Sequence, residues 1–257
     1  MFLAAIQRFW VVGRGSSIRL FAFCKEVIMS DKGYANPELL ISPRDLYERA
    51  ADVCIVDTRP THAYHAGHIP GALHLDLYSI SLNDTREQAF EAFMWMLGYL
   101  FSNRGIGTDK TVVWYEDDSG VRASRGFWIC EYLGHPDVRV LDGGCNAWTA
   151  MGYELTTDCE EAEPAEFVIT SVPGRHMGAD VLNGLLGRKD VVPLDTRGDD
   201  EYFGRNVRAA RGGAIPGAVQ VEYVNNLDGT GAFKPADELR AMYEAVGISS
   251  DKEIVPY

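Results

Sequence analysis

The sequence has no CxxC pair, no run of eighteen apolar residues and no basic stretch to offset its acids. Its five cysteines, Cys24, Cys54, Cys130, Cys145 and Cys159, are scattered and odd in number. That argues against a disulfide framework and favours a reducing compartment. Without a long apolar run, no membrane span is expected. A net charge of −13 argues against a nucleic-acid partner, because a phosphate backbone calls for clustered Lys and Arg. No cofactor and no metal site is expected. His62, His65 and His68 are spaced as metal ligands can be, but they flank a turn with no cysteine pair nearby, so a hydrogen-bonded turn is the expected reading.

What is present is a globular composition, 46% hydrophobic and 24% charged over 257 residues, long enough for two domains. Residues 1–28 stand apart, with Arg8, Arg14, Arg19 and Lys25 against the single acid Glu26. They read either as a transit peptide, with an organellar address, or as an extension upstream of a true start at Met29, with a cytoplasmic one.

After them, Ser42 caps a helix with Pro43 at its first position and Asp45 at its third. That helix runs through Tyr47 and Ala50 to a strand, Val53 to Val56. Asp57-Thr58-Arg59, a turn-rich HAGHIPGA and an alternating LHLDL come next. Thr85 and Gln88 form a capping box for a helix whose core face is Phe90, Phe93, Met94, Leu97, Leu100 and Phe101. A buried strand, Thr111–Tyr115, runs into a Gly-containing loop and a helix ending near Gly134. Val138–Leu141 is a strand, and a short helix around Trp148 stops at Gly152. Glu154 to Pro173 reads as linker with extended flanks, and a helix Ala179–Leu186 opens a second pass. Strands alternating with helices predict an α/β fold with mainly parallel sheets.

The second pass repeats the first. VCIVDTR at 53–59 matches VVPLDTR at 191–197, IPGALHLDL at 69–77 matches IPGAVQVEY at 215–223, and GIGTDKTVVWY at 105–115 matches GISSDKEIVPY at 247–257. Tyr257 is therefore the counterpart of Tyr115. The largest insertion in the second copy is Arg205–Gly212, which carries Arg205, Arg208 and Arg211. After Tyr115 come a loop, a helix, a strand and a last helix, so the second copy is expected to be incomplete at Tyr257.

DTR, GHIPGA, YLGHPDVRVLDGGCNAW at 132–148 and RAARGG-IPGA together resemble the rhodanese family, in particular two-domain sulfurtransferases of the thiosulfate and 3-mercaptopyruvate type. The resemblance covers about residues 40 to 257. It implies an extension (1–35), an inactive rhodanese-like domain (36–155), a linker (156–173) and a catalytic-type domain (174–257). Each domain is a mainly parallel sheet flanked by helices. It implies a catalytic cysteine directly after Tyr257, passing sulfane sulfur through a persulfide from a small anionic donor to a thiol or cyanide acceptor. The chain as given is then expected to be inactive. Two other readings of the fold remain: a non-catalytic binding module, and a cysteine-dependent phosphatase, which has a longer active-site loop.

Sulfur transfer needs a soft nucleophile whose thiolate is stabilised by a helix amino terminus and backbone N–H groups. The first copy has no cysteine in its loop and places Glu116, Asp117 and Asp118 there instead. These acids are read as a solvated, degenerate loop, or else as a cation or general-base site. That loop is one residue longer than the family's, and Ala214 replaces the histidine that the first copy keeps as His68. Cys145 opens a packing helix and is not expected to be a nucleophile. By resemblance, Arg205, Arg208 and Arg211 are candidates for binding the anionic donor. Asp195 and Arg197 are candidates for fixing the site's architecture, a role also suggested by Asp57 and Arg59 in the inert copy.

Overall fold

The computed structural model describes residues 32–82, 84, 86–159 and 161–257; residues 1–28 and Thr85 therefore lie outside the described residues. In the first half the chain forms β1 (Leu40–Ile41), α1 (Pro43–Arg49), β2 (Cys54–Asp57), α2 (Thr61–Ala66), β3 (Leu73–His74), α3 (Glu87–Asn103), β4 (Val112–Tyr115), α4 (Val121–Tyr132), β5 (Val138–Leu141) and α5 (Gly144–Ala150). In the second half come α6 (Ala179–Leu185), β6 (Val191–Asp195), α7 (Asp199–Tyr202), β7 (Val219–Gln220), α8 (Ala236–Ala245) and β8 (Glu253–Pro256). Among the described residues two parallel sheets form, ordered β1-β5-β4-β2-β3 and β7-β6-β8.

The strands form where β-branched and aromatic residues cluster, and β4 is buried along its whole length, as a central parallel strand covered on both faces should be. Trp114 faces one core with Phe101 and Phe127, while Val113 and Tyr115 face the other with Leu46 and Trp148. Gly126 lets α4 approach β4, since a Cβ there would lie 2.3 Å from the Trp114 ring. Ser42 caps α1 as expected, its hydroxyl accepting from Asp45 N at 3.0 Å. Gly134 and Gly152 sit at positive φ just past their helices.

Three expectations need correction, and one strand was not anticipated. Thr61–Ala66 is a helix rather than part of a turn; Pro60 sets its entry, Tyr64 is its buried anchor and Gly67 ends it. Only Leu73–His74 of the alternating LHLDL pairs in the sheet, although Leu75 and Leu77 remain buried. Arg86 occupies the position before α3 with no side-chain cap bond, and the Asp84 carboxylate accepts Arg86 N there at 3.1 Å. The two-residue β1, too short to read from periodicity, pairs with β5.

The halves meet at Asp142, just past β5. Its buried carboxylate accepts from Lys32 Nζ at 2.5 Å, Phe233 N at 2.9 Å and Ser119 Oγ at 3.3 Å. Truncating it removes the acceptor of Phe233 N and Ser119 Oγ, while Lys32 Nζ keeps its bond to Phe233 O, so Asp142→Ala should cost about 3 kcal/mol in urea unfolding. A loss below about 0.5 kcal/mol would show the contact to be incidental.

Candidate functional site

Each half closes its central strand with the same set of bonds. In the first, fully buried Asp57 accepts Arg59 N at 2.8 Å, Arg59 Nη2 at 2.7 Å and Tyr115 Oη at 2.6 Å. Tyr115 Oη in turn accepts Ile69 N at 3.1 Å, and Thr58 Oγ1 donates to Tyr115 O at 2.8 Å. In the second, fully buried Asp195 accepts Arg197 N at 2.9 Å and Arg197 Nη2 at 2.6 Å. Tyr257 Oη accepts Ile215 N at 2.9 Å, and Thr196 Oγ1 donates to Tyr257 O at 2.8 Å. Each arginine also donates to a glycine carbonyl ahead of IPGA, Arg59 to Gly67 at 2.7 Å and Arg197 to Gly213 at 3.0 Å.

The electrostatics come from these contacts. Burial alone would raise the Asp195 carboxyl, but the hydrogen bonds from Arg197 and Tyr257 hold it below the usual carboxylate range. Burial, with the Asp195 charge adding to it, pushes the Tyr257 hydroxyl up to about 12. Arg197 therefore directs its donors inward, and its guanidinium also sits 5.2 Å from the Tyr257 ring centroid.

The turn after β4 differs from the expected solvated loop. Ser119 and Gly120 are buried, and Ser119 N donates to Gly231 O at 2.9 Å. Gly231 belongs to a hairpin, Asp228–Phe233, closed by an antiparallel bridge between Leu227 and Phe233. On the other side Cys145 N and Asn146 N donate to the carbonyls of Glu116 and Asp117 at 2.8 and 2.9 Å. A Cβ on Gly144 would lie 2.5 Å from Glu116 O, so only glycine fits there.

Within this enclosed turn, Glu116 Oε1 accepts Arg122 N at 2.6 Å and Ala123 N at 3.2 Å. These are free N–H groups of the first turn of α4, the place where an anion would bind. A side-chain carboxylate of the chain itself holds that place. Burial pushes the Glu116 carboxyl up to about 7 against the lowering effect of the two amides, and the Asp118 charge adds to the rise. Asp117 is exposed and lies 3.5 Å from Arg59 Nη1.

The insertion Arg205–Gly212 is exposed. Arg205 Nε donates to Asp200 Oδ1 at 2.7 Å, and Arg208 Nε lies 3.5 Å from Glu201 Oε1. The carboxyl end of the insertion is tied to the strand end, through Arg197 to Gly213 and through Ile215 to Tyr257. Cys145 is buried in α5 with its thiol pushed up by burial. Cys54 and Cys130 sit in apolar surroundings that likewise raise their thiols, Cys54 to about 12. His68 is buried, with ring nitrogens 2.9 and 3.1 Å from the carbonyls of Tyr64 and Asp158, while His62 and His65 lie on α2. Among the described residues no helix is long and apolar enough to cross a membrane.

Residues 42–151 match the rhodanese-like domain family. The chain is 34% identical over 249 residues to the sulfur carrier protein TtuD of Thermus thermophilus, covering 88% of this chain and 84% of that one. The chain belongs to the rhodanese family of sulfurtransferases. A thiosulfate sulfurtransferase of Azotobacter vinelandii is 31% identical over 226 residues, covering 87% of this chain and 83% of the relative. The crystal structure of SseA from Escherichia coli, a 3-mercaptopyruvate sulfotransferase, superposes with a TM-score of 0.74 at 24% identity over 85% of this chain and 87% of that one. The rhodanese fold thus extends across both halves.

The Glu116 cap and the hairpin over it left no clear mark in the sequence. Glu116 stands six residues ahead of the amide it accepts, outside any short capping pattern. The Asp228-Gly229 pair did carry a turn signal. Because the folded state holds the Glu116 proton more tightly than the unfolded chain, its stabilisation is complete below about pH 4.5 and declines as pH rises through 7. Thermal unfolding at pH 5 and pH 8 should show wild type losing on the order of 2 kcal/mol more than Glu116→Gln over that range. Equal losses would mean that Glu116 titrates normally.

Proposed function

We propose that the second half carries the sulfur-transfer site, with a nucleophilic cysteine directly after Tyr257, and that the first half is its non-catalytic partner. The observation that carries this reading is the contrast between two equivalent strand ends. Both are braced by the same aspartate, arginine, threonine and tyrosine. At Tyr115 the following helix amino terminus is taken by Glu116 and sealed by the hairpin. The strand end at Tyr257 sits instead beside an exposed insertion that carries three arginines.

In this reading the domains span residues 36–155 and 174–257, and the protein works in the cytoplasm. A thiolate after Tyr257 attacks the outer sulfur of thiosulfate; the S–S bond breaks and sulfite leaves with the electron pair. The resulting persulfide gives its outer sulfur to a thiolate or cyanide, and the cysteine leaves as thiolate, restoring the enzyme. With 3-mercaptopyruvate the same thiolate attacks the thiol sulfur; the C–S bond breaks, its electron pair leaves on carbon as pyruvate enolate, and the enolate takes up the thiol proton to become pyruvate. Asp195 and Arg197 fix the strand end from which the nucleophile projects. Arg205, Arg208 and Arg211 meet the donor's negative charge, with Arg205 and Arg208 giving up their exposed pairings to Asp200 and Glu201.

A charge-assisted contact to an anion contributes roughly 1.5–3 kcal/mol. Replacing the critical arginine, Arg208 or Arg211, by Ala should lower kcat/KM of the catalytic polypeptide about ten- to a hundredfold. If both variants match the parent, the insertion is only a surface loop. The 257-residue chain alone should transfer no sulfur from thiosulfate to cyanide. Robust turnover by it, lost in Cys145→Ser, would overturn the assignment.

A further inference from the structure

The outward side of α3 carries an unusual row. Glu87, Glu91, Trp95 and Tyr99 follow one another at four-residue steps, so they lie one above the other along the helix. Trp95 and Tyr99 are 64% and 62% exposed, and their rings are nearly parallel with centroids 6.1 Å apart. Glu87 and Glu91 are exposed as well. Arg86, the basic residue beside them in sequence, is held by Asp84. Burial, and then the charges of Glu91 and Glu87, push up the hydroxyl of Tyr132 on α4.

The linker forms the border of this row. Phe167 N donates to Ser102 Oγ at 3.1 Å, and Ile169 lies over Gly98, where a Cβ would come within 2.7 Å of its side chain. Gly98 and Ser102 stand three residues past Trp95 and Tyr99, on the neighbouring row of α3. On its other side the linker is fixed to the end of α4, with Thr170 N and Val172 N donating to the carbonyls of Leu133 and Tyr132 at 2.9 and 2.7 Å. Val168 and Val172 are left outward, 52% and 40% exposed. The aromatic row and the linker thus make one apolar strip with acids at its end, on backbone that is held in place.

We propose that this strip is a docking surface for a partner protein that presents an amphipathic helix, its apolar face flanked by Lys and Arg. The Trp95 and Tyr99 rings are the anchors, since large rigid aromatics dominate the energetics of protein interfaces. The Glu87 and Glu91 carboxylates, in the same row, select cations on the partner. They repel an anionic lipid surface, which calls for basic residues on the protein's side. A second copy of this chain carries a net charge of −13 and meets the same repulsion. Because the linker borders the strip, the partner also touches the segment that joins the two halves.

The test is fluorescence anisotropy of a labelled amphipathic helical peptide of leucine and lysine, titrated with the 257-residue chain. The peptide should bind, more weakly as salt rises, and its counterpart with glutamate in place of lysine should not. Trp95→Ala/Tyr99→Ala and Glu87→Lys/Glu91→Lys should each weaken binding at least about tenfold. Glu48→Lys/Glu154→Lys makes the same change of net charge on the opposite face of the first sheet, where Leu46 and Trp148 pack. That variant should stay within about twofold of the parent. Equal weakening by both charge reversals would show attraction to net charge alone and overturn the proposal, as would no loss in the aromatic variant. A dimer in sedimentation that Trp95→Ala dissociates would overturn it too, since a second copy would then cover the strip.

Discussion

The structure depends on a buried carboxylate that ties a strand end to the turn beside it. Asp57 and Asp195 are each fully buried, and a buried carboxylate is tolerated only when charge and hydrogen bonds compensate it. The compensation comes from the arginine two residues later, from that arginine's own backbone N–H and from the tyrosine that ends the neighbouring strand. The tyrosine then takes the N–H of the isoleucine in IPGA. One network thus fixes two strand ends and the entry to the following segment. In a parallel sheet, residues just beyond such ends meet the ligand, so rigidity here becomes precision at the site.

The same frame supports two different outcomes. In the first half the N–H groups that open α4 are satisfied internally by Glu116, and the hairpin from the second half covers the turn. A thiolate or an anionic donor has no place there, since it would compete with a tethered carboxylate at very high effective concentration. The first half also supplies contact surface. Asp142 binds Phe233 and Lys32, and the Gly231 carbonyl takes Ser119 N. The cap that Glu116 places on α4 and the interface between the copies occupy the same few residues.

Most of the fold was legible in the sequence because its signals are local. The cap at Ser42 with Pro43, the β-branched run Val112–Val113, the helical spacing of Phe90, Met94, Leu97 and Phe101, and the glycines after helices each act within a few residues. The repeat then aligned Tyr115 with Tyr257 and Asp57 with Asp195. The features that escaped were set by tertiary contact. β1 is two residues long and exists because β5 offers it a partner. The helix Thr61–Ala66 is short and held by Tyr64 beneath the sheet edge. Asp117 is solvated as its neighbours in sequence suggest, but the turn beside it is not, because the cover over Asp118 and Ser119 comes from Gly231, more than a hundred residues later.

The central claim is that sulfur is carried at the strand end of the second half and nowhere in the first. The most direct measurement is mass-spectrometric mapping of sulfane sulfur on the complete polypeptide after exposure to thiosulfate. The account predicts a persulfide on the residue immediately after Tyr257 and on none of Cys24, Cys54, Cys130, Cys145 or Cys159. A persulfide on Cys145, beside the turn that Glu116 occupies, would contradict it.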